Sequence, residues 1–150
     1  MAPGLKFCIN TSASAANLKR ISFPSLVFKS KAIDFLFPIE SNQLKEVFND
    51  ITSENTFIAS WTTTPWTIPA NKALAFNSNI EYAVLEIDQL EHFKNKRIVV
   101  AKNLIESITK ECEIKNYKEI KTFKGSEFKE TICNHPFLKL DFDYDVPMLD

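Results

Sequence analysis

Glycine is almost missing from this chain: Gly4 and Gly125 are the only two among 150 residues. No glycine-rich segment can therefore be hidden anywhere in it. Cysteine is also scarce. Cys8, Cys112 and Cys133 are odd in number, widely spaced and without a Cys-x-x-Cys pair, and only His92 and His135 could assist them. That excludes a disulfide framework and gives no support to a zinc site, leaving reduced, partly buried thiols as the expectation. No apolar run approaches the length that spans a bilayer, so the chain reads as soluble, with no membrane partner. Charge of one sign is lacking too. A net charge of −1 excludes a protein held to DNA or RNA by bulk electrostatics, so any RNA contact must be local.

What remains is the composition of an ordinary globular protein: 45% hydrophobic, 25% charged, thirteen phenylalanines. A chain of this length can form one domain and bury most of its apolar surface. The first thirty residues differ from the rest. Lys6, Lys19, Arg20, Lys29 and Lys31 all precede the first acid, Asp34, among several serines. Such a bias can mark an organellar transit peptide. The amphipathic pattern is weak, however, and an arbitrary start upstream of a truncated reading frame gives the same composition. The second explanation is preferred, with a cytoplasmic location.

Along the chain, "ISFPSLVFKSKAIDFLFPI" is extended, its prolines punctuating short strands. Ser41 reads as an N-cap, because Leu44, Val47, Phe48 and Ile51 form one apolar stripe of a short helix. "FIASW" and "KALAF" read as strands. "EYAVLEI" and "RIVVA" are the clearest strands and should pair as a hairpin around "DQLEHFKNK". Asn103 and Glu106 resemble a capping box ahead of Ile105, Ile108 and Cys112 on an amphipathic helix. "YKEIKTFKG" is extended, and the last stretch is aromatic, acidic and turn-rich. Many short strands with two or three small helices imply an α+β, mostly β domain built on a β-barrel or strongly bent sheet.

The unusual stretch is "WTTTPWTIPAN", Trp61 to Asn71, which holds both tryptophans of the chain. Pro65 and Pro69 stiffen it and bar it from a sheet interior. In the bland reading the threonines are strand residues and Trp61 and Trp66 fill core. Four hydroxyls crowding one turn strain that reading, since buried hydroxyls need partners. A ligand is the alternative partner: a stiff loop of hydroxyls beside two flat apolar walls suits a small, partly apolar substrate with polar ends, such as an amino acid esterified to a sugar.

These residues resemble the threonine-rich strand of the editing domain of isoleucine–tRNA ligases. Related valine and leucine ligases have a similar Thr-Thr-x-Pro-x-Thr core with Arg before the proline and an acid after it, so Thr64 and Trp66 point to the isoleucine family. "FPSLVFKSKAIDF", "KALAFNSNIEYAVLEI", "RIVVAKNLIESI" and "FKGSEF...HPF...DYDVPMLD" follow in the family's order. The resemblance covers residues 21–150, a partial, β-barrel-like editing domain with small peripheral helices. Residues 1–20 are an unassigned N-terminal extension.

The resemblance implies a function. One methylene is worth only about 1–3 kcal/mol in an apolar site, isoleucine against valine being the established example of that limit, so a second, smaller pocket must hydrolyse misattached valine. It implies that Thr62, Thr63, Thr64 and Thr67 are catalytic, holding the ester carbonyl, the terminal ribose and a water. Trp61 and Trp66 would bound the side-chain slot, and Asn71 would add a polar contact. No residue of the stretch is a general base at neutral pH, so catalysis would rest on positioning. The implied partner is the 3′ end of a tRNA carrying valine.

In the family a glycine-rich segment follows "DVPMLD" and carries a histidine and an aspartate that binds the substrate's α-amino group. The sequence stops at Asp150, so the domain is expected to be C-terminally incomplete, and the remainder of the ligase would be a partner if encoded separately. His-x-Gly-His and Lys-Met-Ser-Lys-Ser signatures are absent. The resemblance therefore implies ATP, and allows zinc, only in a full-length parent, with no cofactor in this chain. His135, followed by Pro136, reads as a structural or surface histidine. Asp141, Asp143, Asp145 and Asp150 read as a solvated acidic loop rather than a cation site. Two alternatives stand beside editing: a non-catalytic remnant of a split or decayed gene with weak RNA binding, and a free-standing deacylase or interaction barrel that shares only the turn.

Overall fold

The computed structural model describes residues 21–23, 26–28, 33–40, 55–87 and 96–150. The extension at 1–20, the helix expected after Ser41 and most of the charged connection before Lys96 lie outside the described residues.

Ten strands dominate the described residues. β1 (Ile21–Phe23) and β2 (Leu26–Phe28) form a short antiparallel pair, with Ile21 opposite Phe28. β3 (Ile33–Pro38) begins a five-stranded sheet with β4 (Thr56–Thr62), β6 (Glu81–Ile87), β7 (Lys96–Ala101) and β8 (Tyr117–Lys124), in the order β3-β4-β7-β6-β8. Within it only β4 and β7 run parallel. β5 (Leu74–Ala75), β9 (Ile132–Asn134) and β10 (Asp145–Leu149) make a second sheet in the order β5-β10-β9. An Ile39–Cys133 bridge and the Glu40 N–H to Ile132 carbonyl bond (3.2 Å) join the two sheets. Among the described residues no pairing joins β3 to β8, so the larger sheet is open, with no closed barrel.

The expected hairpin is present: β6 pairs with β7 from Tyr82 opposite Ala101 to Ile87 opposite Lys96. Side chains alternate across a strand, so a run such as Ala83-Val84-Leu85 can be wholly buried only if both faces are covered. Both are. Val84 and Val99 join Phe35, Phe37, Ile58, Ile68, Cys133, Val146 and Met148 in one core, under the smaller sheet. Ala83, Leu85, Ile87, Ile98 and Val100 face the other way and pack with Ile105 and Ile108 of α1 (Ile105–Glu111).

The start of α1 differs from expectation. A 3-10 turn, Lys102–Leu104, leads into the helix, and its N-cap, Leu104, offers no side-chain hydrogen bond. Asn103 therefore sits inside that turn, one residue too early to cap the helix. The final stretch contains two strands, β9 and β10. Pro147 is tolerated in the middle strand because it forms a non-hydrogen-bonded pair with Ile132, the ladder bond running from the Met148 N–H to the Thr131 carbonyl (3.0 Å), while the β5 pairing starts only at Met148.

Gly125 follows β8 and has a packing reason. Its N–H donates to the Ile80 carbonyl (2.9 Å), and a methyl group there would collide with the Asn77 carbonyl oxygen. Phe128 beside it packs edge-on to Tyr82 and Phe123 at 4.8 and 5.0 Å between ring centroids. Cys133 is fully buried, and burial pushes its thiol from the ordinary 9.0 up to about 12.

Candidate functional site: the threonine-rich turn

β4 carries the chain out of the larger sheet at Trp61 and Thr62, and Pro65–Ala70 then wind into a 3-10 helix. Pro65 stands at its start, where a missing N–H is harmless and φ is already set. Ile68 is the anchor. It is buried in the larger core, while its neighbours Trp66, Thr67 and Pro69 are exposed. Burying such a side chain contributes about 1.5–3 kcal/mol, enough to pin one side of so short a turn.

The two indoles do not fill core: Trp61 is 63% and Trp66 72% exposed. That rules out the bland reading of these residues. The hydroxyls are not buried either. Thr62 is half-buried, and Thr63, Thr64 and Thr67 are exposed. Three of the four form a chain of their own. Thr62 Oγ1 accepts from the Thr64 N–H (3.1 Å) and lies 3.2 Å from Thr64 Oγ1, which lies 3.4 Å from Thr67 Oγ1. Thr67 Oγ1 donates to the Thr64 carbonyl at 2.7 Å. Contrary to expectation, these three hydroxyls need no ligand to be satisfied, since they bond one another within reach of water. What the network does is fix the directions of the oxygens across the turn. Asn71 closes the 3-10 helix, its N–H donating to the Ile68 carbonyl (2.9 Å), and is half-buried.

Beneath the turn lie residues that sequence reasoning did not connect to it. His135 is fully buried, a structural and not a surface histidine, with Nε2 2.9 Å from the Ile68 carbonyl oxygen. Its Nδ1 accepts from the Phe137 N–H (3.2 Å). A carbonyl only accepts and an amide only donates, so the neutral tautomer with hydrogen on Nε2 satisfies both. Phe142 stacks on the imidazole at 5.2 Å and Tyr144 tilts against it at 5.0 Å. Tyr144 Oη in turn donates to the Pro69 carbonyl (2.6 Å), and Lys72 Nζ sits 3.2 Å from the centre of the Tyr144 ring. The signal in the sequence was the aromatic spacing of "HPF" and "FDY"; the contact partners lie 67 and 75 residues away.

Asp141, Asp143 and Asp145 are exposed, and Asp141 takes a left-handed conformation (φ 67°) that ends a 3-10 turn. Asp150 holds the loop before β6: its Oδ1 accepts from the Ser78 N–H (2.8 Å), and hydrogen bonds from the Ser78 side chain and backbone hold its carboxyl below the ordinary value. An open groove of about 490 Å³ lies at the C-terminal end of α1, between Thr109, Lys110, Glu113, Ile114 and Lys115, and shares no residue with the turn. No helix among the described residues is long and apolar enough to cross a membrane.

No family model matches the chain. Curated relatives do. The chain is 56% identical over 122 residues to the isoleucine–tRNA ligase of Pelagibacter ubique, a match covering 81% of this chain and 13% of that protein. It is 38% identical over 122 residues to the isoleucine–tRNA ligase of Syntrophotalea carbinolica, covering 81% and 12%. A probable mitochondrial isoleucine–tRNA ligase of Dictyostelium discoideum is 39% identical over 89 residues, covering 59% and 8%. The mostly β fold with its exposed threonine turn thus corresponds to a segment found in aminoacyl-tRNA ligases. The chain belongs with the isoleucine–tRNA ligases, and spans about an eighth of the length of the curated relatives it matches.

Proposed function

We propose that this chain supplies the threonine-rich half of an editing site that hydrolyses valine misattached to the isoleucine tRNA. The observation that carries the reading is the exposed hydroxyl chain Thr62–Thr64–Thr67 on a proline-stiffened turn flanked by two exposed indoles. Hydroxyls whose directions are set before a substrate arrives can grip an ester carbonyl, the terminal ribose and a water without reorganising. Thr62, Thr63, Thr64 and Thr67 take that role, Trp61 and Trp66 bound the aminoacyl side chain, and Asn71 adds a polar contact. The 3′ end of tRNA is the partner, and the work is proofreading in protein synthesis. ATP binding, aminoacylation and any zinc belong to other parts of a full-length ligase, and the rest of the pocket comes from those parts as well.

The test is a chimera in which residues 21–150 replace the homologous segment of the Pelagibacter ubique ligase. It should deacylate valyl-tRNA for isoleucine, and Thr63→Ala with Thr64→Ala should reduce that rate at least about tenfold, the scale of one lost oriented contact. Unchanged hydrolysis in the double variant would refute the assignment.

A further inference from the structure

Ile68 carries two hydrogen bonds on one carbonyl oxygen: the Asn71 N–H that closes the 3-10 helix, and Nε2 of His135 from the segment after β9, each at 2.9 Å. One residue on, the Pro69 carbonyl takes the Tyr144 hydroxyl at 2.6 Å. Pro65–Ala70 belong to no strand, so no sheet ladder supplies either carbonyl with a partner. The imidazole is itself fixed from every side. Phe142 stacks on it, Phe37 and Phe137 meet it nearly edge-on, Tyr144 tilts against it, and the Phe137 N–H occupies its other nitrogen. A ring packed by four aromatic neighbours and hydrogen-bonded at both nitrogens meets a turn that belongs to no strand.

We infer that His135 is a positioning residue for the threonine turn: its Nε2–H, with the Tyr144 hydroxyl beside it, sets the pitch of Pro65–Ala70 and so the directions in which Thr64 and Thr67 present their oxygens. His135 touches no substrate and acts only through the Ile68 carbonyl. The inference rests on the reading of the turn as the ester-hydrolysing site where it concerns activity, but the clamp itself is a property of this chain. A buried aromatic box of this kind would be satisfied by phenylalanine if packing were its whole purpose; the hydrogen on Nε2 is the part that packing does not explain.

Amide hydrogen exchange on the 150-residue chain separates the two. His135→Phe keeps the ring and removes both hydrogen bonds. His135→Asn keeps an acceptor for the Phe137 N–H but cannot reach Ile68. His135→Gln keeps a donor that reaches Ile68. The clamp predicts that Phe and Asn at this position speed exchange of the Thr67 and Asn71 amides at least about tenfold, that Gln restores slow exchange, and that Val84 and Val99 amides in the central strands stay unchanged. Tyr144→Phe, which removes one hydroxyl from a partly exposed ring and is not expected to unfold the chain, should produce the same local rise. Equal exchange in all variants, or a rise spread evenly over β6 and β7, would overturn the clamp. In the chimera, His135→Phe should lower kcat roughly ten- to a hundredfold with KM for valyl-tRNA within about twofold, and Gln should rescue it. A local rise in exchange with no valyl-tRNA hydrolysis by any form would leave the clamp standing and sink the editing reading instead.

Discussion

Thr67 Oγ1 donates to the carbonyl of Thr64 at 2.7 Å, closing the hydroxyl chain on the turn's own backbone. The bond lies in water, where one hydrogen bond contributes little net stability. Thr67→Val keeps the shape and removes the donor. It should shift stability by less than about 0.5 kcal/mol in denaturant melts, as exposed substitutions do, while reducing valyl-tRNA hydrolysis in the chimera by at least about tenfold. A large loss of stability would show that the bond holds the fold rather than orienting the oxygens.

Ile68 behaves in the opposite way. It is the buried residue through which the turn meets the larger core, so Ile68→Ala should cost about 2–5 kcal/mol, read as a lower denaturant midpoint at unchanged slope. An effect below about 1 kcal/mol would mean that the turn is held by its hydrogen bonds alone.

Gly125 offers a test of the packing around the loop before β6. Its missing side chain lets the Asn77 carbonyl approach, and a backbone oxygen cannot swing aside as a side-chain tip can. Gly125→Ala should destabilise by about 1–3 kcal/mol even though φ is not positive there, a lowered melting temperature being the readout. Unaltered melting would mean that the loop is free to move.

Cys133 predicts an alkaline sensitivity. Its folded thiol is raised to about 12, so in the unfolded chain it ionises near 9.0 while in the folded chain it keeps its proton. Above pH 9 the unfolded state binds fewer protons, and stability falls as pH rises through the window from 9 to 12, by up to about 1.4 kcal/mol per unit; below 9 the contribution is fully present. The stability gap between this chain and Cys133→Ala should therefore shrink between pH 8 and pH 11 in urea titrations. Parallel curves would contradict the burial of the thiol.

How much of this was legible in the sequence follows from how local each signal is. β6 and β7 announced themselves because Tyr82–Ile87 and Ile98–Val100 are β-branched, apolar and bounded by polar residues, and a near-continuous apolar run already implies cover on both faces. β9 and β10 were missed, since "ICN" is too short for a period and Pro147 argues against a middle strand until it is seen to fall at a non-hydrogen-bonded pair, just before the β5 pairing starts at Met148. The capping box failed by one residue, because a 3-10 turn absorbed Asn103. At the site, composition alone marked the turn from Trp61 to Asn71. Composition could not tell that the hydroxyls face water and bond one another, which depends on Ile68 and not a threonine or tryptophan being the residue turned inward. Nor could it join His135 to Ile68 or Tyr144 to Pro69: those contacts exist only because the strand pairing of β9 and β10 brings the last third of the chain under the turn.

Discrimination by size is the property that the proposed editing role requires most directly. The measurement is the rate at which the chimera carrying residues 21–150 hydrolyses valyl-tRNA against isoleucyl-tRNA, the tRNA being the same isoleucine acceptor in both. The proposed slot between Trp61 and Trp66 predicts valine released at least about ten times faster, the least that one excluded methylene should give. Equal rates for the two esters, or no hydrolysis of either, would contradict it.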